Sequence, residues 1–171
     1  DMQGRTVIDM VFEQAGTFHE GLAGVQERGF HGFIDRSGKF VIPPIFYDSW
    51  GYFSEGLAPV MLESPGGLWG YIDRESRFMI LPRFGNAWDF EDGLALVTVS
   101  TGDGFINREG FSVVEPGKFA ELGHFSEGLA PVKVDGKWGY DDRDGALLPA
   151  GYNSAGSFRH TVASRTPGWS G

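Results

Sequence analysis

No cysteine occurs among the 171 residues, which excludes disulfides, thiolate nucleophiles and cysteine-ligated metals. Basic residues are few: 14 Lys and Arg stand against 23 Asp and Glu, a net charge of −9. Nucleic acids and anionic membranes are held by clustered Lys and Arg, so neither is an expected partner. No apolar run approaches the length of a membrane span, and no membrane insertion is expected. Sustained apolar periodicity of 3.6 residues is missing, which argues against a helical protein. The templates of catalysis are missing as well, with no His-Glu-x-x-His, no Gly-x-Ser-x-Gly elbow and no phosphate-cradling glycine loop. Asp1, where a Met would start a new chain, is expected of a processed or excised piece.

What is present in abundance is glycine, 27 residues, and aromatic side chains, 15% of the total. Both recur in phase. FSEGLAPVKVDGKWG at 125–139 has a near copy, FSEGLAPVMLESPGGLWG, at 53–70, and looser ones open at Phe18, Phe90 and Phe158. The opening phenylalanines recur about every 35 residues, the period of a repeat architecture. Each unit begins with an aromatic, an acid two residues on, then Gly-Leu-Ala, as in Phe53/Glu55/Gly56 and Phe125/Glu127/Gly128.

A short apolar strand follows, ending near Val25, Val60, Val97 and Val132. Glu63–Gly67 and Asp135–Lys137 then read as hairpin turns, since Asp-Gly between apolar runs is a strong hairpin pattern. The second strand carries Trp69-Gly70-Tyr71 and Trp138-Gly139-Tyr140, weakened to His31-Gly32-Phe33 and Asp103-Gly104-Phe105. His31 is a half-buried substitute for Trp. Asp35, Asp73, Asn107 and Asp142 are placed to cap the next turn with their own side chains. A third strand runs to Pro44, Pro82, Pro116 or Pro149, which is expected to stop it because proline donates nothing to a ladder. Connectors then lead to the next Phe, with Ala15, Trp50, Ala87 and Leu122 three residues before it.

The fold class expected is all-β, with five repeats of about 35 residues, each a three-stranded antiparallel meander. One meander cannot bury its faces alone, so the units must stack. Asp1, Gly4, Val7-Ile8 and Phe12 repeat the spacing of Asp35, Gly38, Val41-Ile42 and Phe46, while Phe158, Val162-Ala163 and Trp169 match the first half of a unit. Residues 1–171 are therefore read as a single domain that starts and ends inside a repeat. Joining the two halves would close a five-bladed propeller-like ring, and the alternative is an open stack of hairpin repeats.

FSEGLAPV, KWGYDDRDG, WGYID and the proline-terminated strand resemble the WG-repeat (KWG-repeat) family of bacterial proteins. The resemblance covers nearly the whole chain. His31 and Asp103 in place of Trp, and Thr161 in place of Gly, depart from the pattern. The resemblance implies a β-rich, propeller-like repeat fold without common catalytic residues, and a role in binding.

The four histidines, His19, His31, His124 and His160, fall at different repeat positions, so no metal site and no cofactor is expected. Glu20, Glu55, Asp92 and Glu127 share one position. On a ring they would form a circle of carboxylates suited to a cation or basic peptide, yet carboxylates that recur with the fold are expected to accept backbone N–H groups of the Gly turns. Adjacent strand residues face opposite ways, so Asp141 and Asp142 cannot act as a catalytic pair. The chain is not expected to be an enzyme. The recurrent phenylalanines and tryptophans read as packing. Trp50, Trp88 and Tyr47 lie in connectors where the copies disagree, and binding residues concentrate in such loops. They are the candidate partner-binding residues of a non-catalytic module that takes a protein or peptide through one face of its connectors, the alternative being a lectin-like glycan-binding domain.

Overall fold

The computed structural model describes residues 8, 11–62, 66–142 and 147–152. Among them there is no helix, and so none long and apolar enough to cross a membrane. The strands form four antiparallel meanders in chain order. The first sheet is β1 (Gln14–Ala15), β2 (Ala23–Glu27), β3 (Phe30–Ile34) and β4 (Phe40–Phe46), and the second is β5 (Asp48–Ser49), β6 (Ala58–Met61), β7 (Trp69–Ile72) and β8 (Phe78–Phe84). The third is β9 (Asn86–Glu91), β10 (Leu94–Val99), β11 (Gly102–Asn107) and β12 (Ser112–Val114), and the fourth is β13 (Glu121–Leu122), β14 (Leu129–Val134), β15 (Lys137–Asp142) and β16 (Leu147–Tyr152). Most of the fifth unit expected from the chain ends, including His160 and Thr161 but not Ile8 and Phe12, lies outside the described residues, as do Glu63–Pro65.

The sheets have four strands where the sequence reading expected three. The extra strand comes from the connector, whose residues Ala15, Ser49, Ala87 and Leu122 pair with Val25, Val60, Val97 and Val132. The reason is hydrogen-bond completeness: the first meander strand would otherwise leave one edge of its backbone unpaired.

The prolines differ from expectation too. β4 and β8 run through Pro44 and Pro82 to Phe46 and Phe84, and β16 runs through Pro149; only β12 stops short of its proline, Pro116. These are the last strands of their sheets, where a missing N–H breaks no inner ladder. The register also shifts there, from Phe33↔Ile42 to His31↔Phe46 and from Tyr71↔Ile80 to Trp69↔Phe84.

That shift explains the glycine after each Trp-type residue, which serves no turn. A Cβ on Gly32, Gly70 or Gly104 would lie 2.7, 2.7 or 2.6 Å from the carbonyl oxygen of Ile42, Ile80 or Val114. The proline-bearing strand folds directly over these glycines, and only a residue without a side chain leaves it room.

The core lies between successive sheets. Leu22, Phe33, Ile42 and Phe46 of the first unit meet Phe53, Ala58, Val60 and Ile72 of the second. Tyr71, Ile80 and Phe84 meet Phe90, Ala95, Val97 and Ile106 across the next junction. The opening Phe of each unit thereby touches the second-strand aromatic of the unit before: Phe53 on Phe33 at 4.8 Å, Phe90 on Tyr71 at 4.9 Å and Phe125 on Phe105 at 5.6 Å. Phe18 departs from the expected burial, being 39% exposed. Among the described residues no preceding sheet covers it.

Candidate functional site

The acids of the Gly-Leu-Ala phrase recur at one position of the repeat. Glu20, Glu55, Asp92 and Glu127 all have left-handed backbone, φ 49°, 51°, 54° and 52°, and each precedes a glycine that is also left-handed. Two such residues make the tight two-residue hairpin that suits strand twist. His19 and Leu22, and likewise Ser54 and Leu57, exchange both backbone hydrogen bonds around it. The carboxylates of Glu20 and Glu55 do accept turn N–H groups, but from the next unit. Glu20 accepts the Gly56 N–H at 3.0 Å, and Glu55 accepts the Gly93 N–H at 3.0 Å. Arg74 donates to the Glu20 carbonyl and lies 3.4 Å from its carboxylate. These groups tie unit to unit.

Asp35, Asp73 and Asn107 cap their turns as expected, and the turn after Asp142 lies outside the described residues. Asp35 accepts from the Ser37 N–H at 2.8 Å and the Ser37 hydroxyl at 2.6 Å, contacts that hold its carboxyl below the usual range. Asp73 accepts from the amides of Glu75 and Arg77, and Asn107 from that of Phe111. Burial works against the charge on Asp73, yet its bonds from Arg77 outweigh that and keep it below its ordinary value. Asp141 is different. It is buried, its two oxygens have no hydrogen-bond partner among the described residues, and burial pushes its carboxyl up, opposed by Lys118 at 3.9 Å. Asp142 beside it is half-buried, in keeping with opposite facing. No group of three or more His, Asp or Glu among the described residues is arranged to hold a metal ion.

The three connector aromatics sit in different settings. Tyr47 is half-buried just before β5, its amide donating to the Met61 carbonyl at 2.8 Å. Trp50 stacks on Trp69, centroids 5.7 Å apart and planes 20° apart, and its indole N–H donates to the Ala87 carbonyl at 2.6 Å. Trp88 lies within strand β9 and not in a loop as expected, because the connector pairs with β10 there. It is partly buried against the junction of the third and fourth sheets and meets His124 edge-on at 6.0 Å. Its carbonyl accepts the hydroxyl of Tyr71, whose burial drives the phenol far above its ordinary range. Asp89, Glu91 and His124 line a hollow of about 50 Å³ nearby, where burial, then Asp89 and Asp92, push the Glu91 carboxyl up.

Strand register corrects one alignment. Counting back from Phe53 put Trp50 level with Ala15 and Ala87. Ser49 is the residue paired with Val60, so it stands level with them, and Trp50 is the next residue along. One extra connector residue before Phe53 hid this. Trp50 and Trp88 are consequently counterparts in neighbouring sheets, and Gly16 and Gly123 hold the same place in the first and fourth. A cleft of about 140 Å³ opens beside Gly16, with His31, Ser49, Trp50 and Gly51 in its walls. Sequence reasoning missed it, although the disagreement of Gly16 with Trp88, each two residues before its opening Phe, was visible in principle.

The sequence matches the family model of the WG containing repeat four times, over residues 1–29, 32–64, 69–100 and 104–138. No curated protein matches it. Among solved structures it aligns with the extracellular domain of the putative hybrid two component system BT3049 from B. thetaiotaomicron, at 14% identity and a TM-score of 0.46, covering 83% of this chain and 22% of that one. It also aligns with HIRA(644-1017), at 11% identity and a TM-score of 0.42, covering 77% of this chain and 46% of the other. The chain thus spans less than half the length of either.

Proposed function

The chain belongs to the WG-repeat family, and from that premise we propose that it is a non-catalytic interaction module whose connectors recognise a protein or peptide. Trp50 carries this reading. It is a large aromatic ring on a connector, 47% exposed, yet held in place by its stack on Trp69 and its bond to Ala87. A rigid, partly exposed aromatic offers contact area at little ordering cost, which is the character of a binding hot spot. The engagement of Glu20, Glu55, Asp35 and Asp73 by backbone amides supports a structural part for the recurrent acids.

Affinity capture from native lysate tests it, comparing the wild type with Trp50→Ala/Trp88→Ala and with Tyr47→Ala, each checked for folding by thermal melt. Loss of partners in a folded variant is the expected result. Retention of the same partners by all of them overturns the reading.

We also propose that the sheets continue into a closed ring of five. Ala23, Val25 and Ile34 on the first sheet, with Ile8, Phe12 and Phe18, border an apolar groove of about 390 Å³. Their counterparts in the second unit, Ala58, Val60, Ile72 and Phe53, are buried against the preceding sheet. A face with that composition fits another sheet of the same kind. Deleting residues 153–171 should then raise amide hydrogen exchange in β2 and β3, at the far end of the sequence. Unchanged exchange there would favour the open stack.

A further inference from the structure

Two sheet junctions show what fills the space beside a connector. Trp50 fills the one between the second and third sheets, lying on Trp69 and donating to the Ala87 carbonyl. Trp88, its counterpart, packs into the one between the third and fourth. At the junction of the first and second sheets the same place belongs to Gly16, which has no side chain to put there. The register sets His31 level with Trp69, since Gln26↔His31 and Met61↔Trp69 are matching pairs, and sets Ser49 level with Ala87. Gly16, His31 and Ser49 are all found in the walls of the 140 Å³ cleft. The opening lies where an indole sits one unit further on.

We propose that this cleft is a binding site for a single aromatic side chain of a partner polypeptide, an indole above all. The ring lies on His31, and its N–H donates to the Ser49 carbonyl, as Trp50 does to Ala87. A cavity of about 150 Å³ accepts benzene, so the volume suits one ring and not an extended ligand. The floor is tightly fixed: the Gly24 N–H donates to the Gly51 carbonyl at 2.7 Å, and a Cβ on Gly24 would lie 2.3 Å from Gly51 Cα. Such a site is preorganised, and side-chain contact there needs no opening of the sheets. The inference rests on the connectors being the binding surface.

N-acetyltryptophanamide is the probe, followed by amide chemical shifts, with N-acetylalaninamide as control. In the wild type the tryptophan amide should shift Gly16, Gly24, His31 and Gly51 saturably at roughly millimolar concentration, and the alanine amide should not. Gly16→Trp places the chain's own indole in the cleft and should weaken binding at least about ten-fold. Its Cβ would meet the Gly51 oxygen at 3.2 Å, which asks for a shift of a few tenths of an ångström. His31→Ala should weaken binding roughly three- to ten-fold, and it decides the matter if Gly16→Trp does not fold. Absence of saturable shifts in the wild type, or unchanged affinity in a folded variant, overturns the proposal. If that happens while the connector variants still lose their captured partners, this site falls and the broader reading stands.

Discussion

The carboxylate of Glu55 receives the amide of Gly93 at 3.0 and 3.1 Å across a separation of 38 residues, reaching from one hairpin turn to the same turn of the next repeat. A side chain that forms one hairpin thereby completes the next. Glu55→Ala should destabilise the protein by about 1.5–3 kcal/mol, the worth of a hydrogen bond to a charged group. Glu55→Gln keeps one acceptor and should fall between. Chemical denaturation measures both. Equal stability of Glu55→Ala and the wild type would refute the coupling.

Two glycines with different reasons for being glycine should respond differently to alanine. Gly70→Ala drives a methyl to 2.7 Å from the Ile80 carbonyl and the Pro82 nitrogen, both backbone. Overpacking of that kind costs about 1–3 kcal/mol, and the upper end is expected because neither neighbour is a side chain that can swing away. Gly21→Ala meets nothing within 4 Å but must hold φ near +84°. Its cost should be about 1 kcal/mol, the left-handed penalty alone. A larger loss at Gly21 than at Gly70 in thermal melts would contradict this account.

Burial raises the Asp141 carboxyl, and Lys118 at 3.9 Å offsets it only in part. A carboxyl that keeps its proton more tightly when folded contributes its stability fully below the ordinary carboxylate range. That contribution is lost as pH rises through the raised folded value. Asp141→Asn should therefore melt higher than the wild type near neutral pH, and the two should converge toward about pH 3. Parallel melting curves across that range would sink the prediction.

The architecture was largely legible because it is carried by local, repeated choices. Asp135-Gly136 announces a left-handed hairpin, and φ is 50° and 76° there. Asp35 and Asp73 announce capped turns, and they cap them. The extra strand that each connector adds to its sheet was not legible. Asp48–Ser49 and Glu121–Leu122 have no apolar alternation, and they are strands only because the neighbouring edge offers them partners. The candidate site was legible in part. Trp50 and Trp88 stood out as unrepeated aromatics, but their equivalence was concealed by one extra residue that only hydrogen-bond register exposes. Phe18 read as core by recurrence, and its exposure depends on which sheet comes before it.

By itself, the amino-acid sequence determined the repeat, its turns and its alternation of packing aromatics, since each of these is settled among residues a few positions apart. Only the tertiary structure decided what Glu55 caps, why Gly70 must lack a side chain, and that an indole-sized space beside Gly16 stays open. Those are contacts between strands and between units, and their distances depend on how backbones far apart in the chain approach one another.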